Sequence, residues 1–293
     1  MKKIISLILA LMLLGSCFAL ADSSSNSRAV IGADLSSGEI DTVYDIFGID
    51  RGDVKELTVT NADEREYLEG LVSDSLIGTR SISCIYIEAL DDGKGMDVTV
   101  KNISWCTPDM YMNAMVTAGI SDANVIVAAP FTVSGTAALT GIYKAYEDIT
   151  GKKLDTDAKQ VGTQELTTTA ELGDEIGDDN STAIVNELKL IIDEIANMSD
   201  EELSQQIVSI ANKYNVTLTD KQIGQLIDLC RAMQKLDISQ LKDKVKQVQQ
   251  YFKNITSTRE NIEGFFQNIG HTVSEVIDQI IGFFQNLFGI NKN

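Results

Sequence analysis

Apolar and polar positions alternate at two periods between Val54 and Phe131. VKELTVTN at Val54–Asn61 places Leu57 and Val59 on one face of a strand. Asp63 to Leu71 reads as a helix capped by Asn61 or Asp63. Ile82–Leu90 is apolar on nearly both faces, which predicts a central strand. In Met96–Trp105, Met96, Val98 and Val100 face in, while Asp97, Thr99 and Lys101 face out. The Asp- and Gly-rich segment Asp91–Gly95 between these strands predicts a tight hairpin turn. Thr107-Pro108 opens a helix with an inner face of Met112, Met115 and Val116, ended by Gly119. Asn124–Phe131 is the last strand, with Pro130 marking its end. A shorter helix, Leu35–Phe47, precedes them, capped by Ser36 or Ser37 and ended by Gly48. The order β-α-β-β-α-β predicts a ferredoxin-like module with helices on one face of a four-stranded antiparallel sheet.

After Phe131 only the helical period persists. VSGTAALTGIYKAYEDITG runs as a helix to Gly151, and Val161–Asp174 is a weaker element broken by threonines and glycines. Ala183–Asn197 carries Ile184, Leu188, Ile191, Ile192 and Ile195 on one side. Ser199 with Glu202, and Thr219 with Gln222, have capping-box spacing and open two further helices, the second reaching Leu236. Short connections predict a bundle. From Ile238 the apolar steps alternate three and four through Leu241, Val245, Val248, Phe252 and Ile255. After polar Arg259 they continue through Ile262, Phe266, Ile269, Val273, Val276, Ile280, Phe283 and Leu287. Such a heptad seam predicts coiled-coil-like helices, and Thr256-Ser257-Thr258 favours two helices over one. The Ile262–Leu287 members form a candidate assembly face, widened by Phe265, Ile277, Ile281, Phe284 and Phe288. So broad a face must be covered by its own bundle, a second subunit, or a membrane or envelope surface.

The expected fold class is therefore α+β: a ferredoxin-like module, then a helical bundle, then coiled-coil-like C-terminal helices. Expected boundaries are 1–21 signal peptide, 22–34 tether, 35–131 α+β domain, 132–236 helical domain and 237–290 heptad-patterned tail. Lys2 and Lys3, the apolar run Ile4–Leu14 and Ala19-Leu20-Ala21 make the signal peptide. Leu14-Gly15-Ser16-Cys17 is a loose lipobox, so the alternative to cleavage after Ala21 is a lipid anchor on Cys17. No later stretch has the length of a membrane span. The expected location is secreted or cell-surface associated.

Charge narrows the partners. The chain has 293 residues and a formal net charge of −19, which would repel nucleic acid and anionic lipid. Protein partners, the chain itself through its C-terminal helices, and the cell wall remain. Beyond the leader the cysteines are Cys84, Cys106 and Cys230, an odd set. A Cys84–Cys106 disulfide needs a slipped register in the expected hairpin, and buried thiols are the simpler reading.

Chemistry is sparse. The single histidine, His271, lies in the seam, and neither G-x-S-x-G nor H-E-x-x-H occurs. No catalytic residue, cofactor site or metal site is assigned. Glu88 sits in an apolar strand and is expected near its solvent end. Asp91, Asp92 and Asp97 lack calcium-loop order. A candidate ligand rim comprises Trp105 and Asp109 at one helix start and Ser134 and Thr136 at another, where free N–H groups and hydroxyls gather. The first expectation is a non-enzymatic extracellular or envelope interaction protein. The alternative is a cell-wall- or peptide-directed hydrolase using carboxylates.

Several runs carry a family resemblance: IGADLS at Ile31–Ser36, VTNADE at Val59–Glu64, YLEG at Tyr67–Gly70, NISW and TPDMY with NAMVTAGI between Asn102 and Ile120, and Val127–Gly151. Over roughly residues 29–250 the chain resembles an exported Gram-positive family catalogued as domain of unknown function 1002. The resemblance implies export and a Gram-positive source, and it brings no catalytic residue or cofactor.

Overall fold

A computed structural model describes residues 26–237 and Leu241. All the described residues belong to one compact unit. The expected signal peptide, residues 1–21, and the candidate assembly face Ile262–Leu287 lie outside the described residues.

Five strands form one mixed sheet: β1 (Ser27–Gly32), β2 (Lys55–Val59), β3 (Cys84–Ala89), β4 (Met96–Ile103) and β5 (Ala123–Val133), in the order β2-β1-β3-β5-β4. β1 and β2 are parallel, β4 and β5 are parallel, and β3 runs antiparallel to β1 and β5. The α+β class holds, but the sheet is not the four-stranded antiparallel sheet of a ferredoxin-like module.

Two departures cause the difference. The expected tether 22–34 contains β1, whose six residues are all buried. Ser27 and Arg28 hid it from an apolar count. Arg28 tolerates burial because its Nε donates to Asp148 Oδ2 at 2.6 Å and its Nη1 to the Ser27 carbonyl at 2.7 Å. Secondly, β3 and β4 are not a hairpin. Ala123 of β5 pairs with Ala89 on one side and Met96 on the other, so Leu90–Gly95 steps over the start of β5. Asp122 organises the crossing: its carbonyl accepts from Leu90 N–H at 3.0 Å and its carboxylate from Gly95 N–H at 2.8 Å.

Pro130 lies inside β5 rather than at its end. Pairing to β3 stops at Ala128, and the β4 register jumps between Lys101 and Ile103, so the missing N–H falls at an irregularity. Asn102, at φ 60°, turns its Nδ2 to the Ala129 carbonyl at 2.7 Å.

The helices are α1 (Ser37–Phe47), α2 (Asn61–Leu68), α3 (Asp74–Ile77), α4 (Pro108–Thr117), α5 (Ala137–Thr150), α6 (Thr156–Ile176), α7 (Asp178–Leu190), α8 (Ile192–Ile195), α9 (Asp200–Lys213) and α10 (Asp220–Met233). Both sheet faces are covered, not one. α1 buries Val43, Tyr44 and Phe47 against Ala29, Ile31, Cys84 and Ala128. Gly141 of α5 faces Val30 and Ile85, which point the other way. α5 lies beyond the boundary expected after Phe131, yet it packs on β1, β2 and β3.

Caps follow the sequence well. Thr107 accepts from Met110 N–H with Pro108 at the first helical position, and the Ser199–Glu202 and Thr219–Gln222 boxes both close. For α2 the cap is Thr60 instead, accepting from Asp63 N–H. α6 is continuous over 21 residues, not broken. Its buried threonines satisfy themselves: Thr163, Thr167 and Thr169 donate to the carbonyls of Lys159, Thr163 and Glu165. Gly162 allows close packing, because a Cβ there would stand 2.7 Å from both the Ala114 carbonyl oxygen and the Tyr143 hydroxyl.

Candidate functional site at the carboxyl end of the sheet

Four of the five strands point the same way, so their carboxyl ends share one edge with the start of β3. Loops at such an edge are where an open sheet most often places ligand-facing groups. Here they carry Asp34 after β1, Asn61 and Glu64 after β2, Ser81 before β3, Trp105 and Asp109 after β4, and Ser134 and Thr136 after β5. The four expected rim residues do gather at one end of the sheet. Cys106 N–H donates to the Ser134 carbonyl, and the Tyr111 hydroxyl to the Gly135 carbonyl, so the two loops are stitched together.

Their polar groups serve the fold. Trp105 Nε1 donates to Asp174 of α6 at 2.9 Å, and its ring packs on the cluster of Leu68, Val72 and Ile77. Ser134 Oγ reaches the Leu76 carbonyl at 3.4 Å. Thr136 is buried and makes no side-chain capping bond to α5. Asp109 is exposed; the protein packed around its carboxyl, then the charge of Asp179, hold it above the ordinary value. Next to Asp174 a polar groove of about 360 Å³ runs between α6 and α10, lined by Glu171, Glu175, Lys221 and Gln225 among others.

Glu88 lies far from this edge. It pairs with Asn124 at the start of β5, whereas α4, with Asp109, follows Ile103, which pairs with Val133 at the end of β5. Nine residues of strand separate those pairing positions, roughly 30 Å at about 3.3 Å each.

Sequence reasoning missed the most unusual groups. Glu64 is fully buried. Its Oε2 accepts only a long bond from Asn61 Nδ2 at 3.4 Å, while Glu64 Oε1 and Ser81 Oγ, though close, complete no hydrogen bond. Burial, then the charges of Asp34 and Asp63, push the Glu64 carboxyl up to about 7, against the opposing effect of Ser81 and Asn61. A second buried charge joins three helices: Lys189 Nζ of α7 meets Glu165 Oε1 of α6 at 2.7 Å and the Asn113 carbonyl of α4 at 3.0 Å. Thr117 donates to the other Glu165 oxygen. Burial lowers the Lys189 ammonium below its ordinary value, partly offset by Glu165. Helical spacing held the signal: Glu64 lies four positions before Leu68, and Lys189 four after Val185.

Cys84, Cys106 and Cys230 are free and buried, and burial pushes each thiol up to about 12. Among the described residues no cluster of three His, Cys, Asp or Glu side chains can hold a metal, and no helix is long and apolar enough to cross a membrane.

These features define a mixed-sheet α+β protein whose loop edge is braced by its own side chains. Residues 31–251 match the family model described as "Protein of unknown function (DUF1002)", and the chain belongs to that family. Over 302 aligned positions, covering all of both chains, it is 38% identical to "Uncharacterized protein YpuA" of Bacillus subtilis (strain 168). No solved structure matches.

Proposed function

We propose that this protein is exported and acts at the cell envelope by binding, not by breaking bonds. The observation that carries the reading is how the reactive-looking groups at the loop edge are used. Trp105, Ser134 and Tyr111 tie loops together, and Glu88 and Asp109 belong to opposite ends of the sheet. A carboxylate hydrolase needs two acids flanking one bond, at separations below about 10 Å. The acid excess suits a soluble protein near a wall, where it disfavours nucleic acid and anionic lipid. Export is supported by the leader pattern: cleavage after Ala21 would leave β1, which starts at Ser27, intact. Lipidation at Cys17 would do the same.

Binding surfaces on this reading are the edge bearing Trp105, Asp109, Ser134 and Thr136, and the C-terminal seam Ile262–Leu287. Incubating the full chain with purified peptidoglycan tests it. Co-sedimentation without released fragments is expected; fragments that vanish on Asp109→Asn or Glu88→Gln would replace binding with hydrolysis. Solution mass with and without residues 259–293 tests self-association, and an unchanged mass removes that partner.

A further inference from the structure

We propose that Glu64 and Ser81 form a proton-operated latch between helix α2 and the strap that leads into β3. The strap is already fixed on its other side. Asp34 Oδ2 accepts from Ser81 N–H at 2.7 Å, Asp34 N–H donates to the Ser81 carbonyl at 3.2 Å, and Arg80 Nη2 donates to the Asp34 carbonyl at 2.7 Å. Gly32 lies so close behind it that a Cβ would stand 2.3 Å from the Ser81 carbonyl oxygen. The strap therefore cannot retreat from β1, and any slack must appear on the α2 side.

On that side two buried polar atoms, Glu64 Oε1 and Ser81 Oγ, are left without partners among the described residues. A protonated Glu64 resolves both at once, its O–H donating to the Ser81 hydroxyl. An ionised Glu64 could accept from Ser81 and Asn61, but among the described residues no cation forms an ion pair with it. Arg65, the next residue, spends its guanidinium on Asn61, Asp74 and the Gly78 carbonyl. From α5, Lys144 is held by Asp63 and the Thr58 carbonyl, and from α6, Lys159 is held by Glu147 above the Tyr67 ring. The charges that bear on Glu64 most are Asp34 and Asp63, of its own sign. A buried carboxylate so placed gains stability only by reaching water. Reaching water means parting α2 and α3 from the strap, which uncovers Leu68, Val72 and Ile77.

Trp105 packs on that same cluster and is the only tryptophan in the chain. Its fluorescence is thus a built-in reporter. The sign follows from linkage: a carboxyl whose closed-state value lies near 7, against an ordinary 4.5, favours the closed form below 4.5 and loses that advantage as pH rises toward 7. In the full-length protein, opening of residues 61–78 should rise roughly tenfold per pH unit between about pH 5 and about pH 7, then level off. The readouts are amide exchange, corrected for intrinsic rates, and Trp105 emission. Glu64→Gln should flatten both profiles. Ser81→Ala removes the hydroxyl that accepts the Glu64 proton, so opening at pH 5 should rise roughly tenfold. If Glu64→Gln fails to fold, the opening of Ser81→Ala at pH 5 decides. Wild-type slopes in Glu64→Gln, or unchanged opening at pH 5 in Ser81→Ala, overturn the latch.

Discussion

Among the described residues, two places bury an ionisable side chain completely, and they solve the problem in opposite ways. Between α4, α6 and α7, Lys189 and Glu165 neutralise each other and spend their remaining capacity on Asn113 and Thr117. At the loop edge Glu64 has like charges for neighbours and a hydroxyl that completes no bond. The first arrangement ties three helices together at any pH where both groups stay charged. The second is comfortable only when it holds a proton. Burial alone does not say whether a charge is a rivet or a trigger; the sign and saturation of its surroundings do.

The contrast can be broken from either side. Removing one partner of the matched pair should have the largest effect. Lys189→Met strands Glu165 in the interior and should cost about 3–5 kcal/mol in denaturant unfolding, most of it recovered in the Lys189→Met/Glu165→Met double variant. Next comes the unmatched acid. Glu64→Gln should stabilise the protein by about 2–3 kcal/mol at pH 8 and by little at pH 5, because the wild type loses stability between 4.5 and about 7. A variant equally stabilised at both pH values would dissolve the distinction between the two sites. Gly162→Ala tests the close contact of α6 with α4 and α5: the added methyl should cost about 1–3 kcal/mol and lower the melting temperature. Thr219→Ala removes one helix cap far from either charge, for about 1 kcal/mol. The smallest change is expected from Trp105→Phe, which keeps the packing on Leu68 and Ile77 but drops the bond to Asp174, costing about 0.5–1.5 kcal/mol.

Local structure was legible where one segment's own residues decide it. β2 to β5, the caps at Thr107, Ser199 and Thr219, and the αL residue Gly48 all follow from short-range pattern. Pairing was not legible, because it depends on which strands compete for which neighbours. Asp91–Gly95 has the composition of a hairpin turn, yet the more apolar β5 occupies the slot between β3 and β4. β1 escaped notice because a polar start is compatible with burial once Asp148, 120 positions away, supplies a partner. Thr167–Thr169 suggested a break in α6 that the hydroxyls' bonds to preceding carbonyls prevent. At the loop edge, the sequence singled out Trp105 and Asp109 at one helix start and Ser134 and Thr136 at another, and the pairing of β4 with β5 brings both to one end of the sheet. It did not reveal Glu64 or Ser81, whose significance lies in what fails to reach them.

The insertion of β5 between two earlier strands also sets an order on how the chain can mature. Until residue 133 has been synthesised, β3 and β4 each expose a bare edge toward the vacant slot. The first half of the polypeptide must therefore wait for a distant segment before its sheet is whole, the kind of non-local closure that slows folding. A fragment cut before Ala123 would be an aggregation hazard instead of a small domain. On the export reading proposed above, that delay is an advantage, since a precursor that stays loose is easier to thread through a translocation channel than a finished sheet.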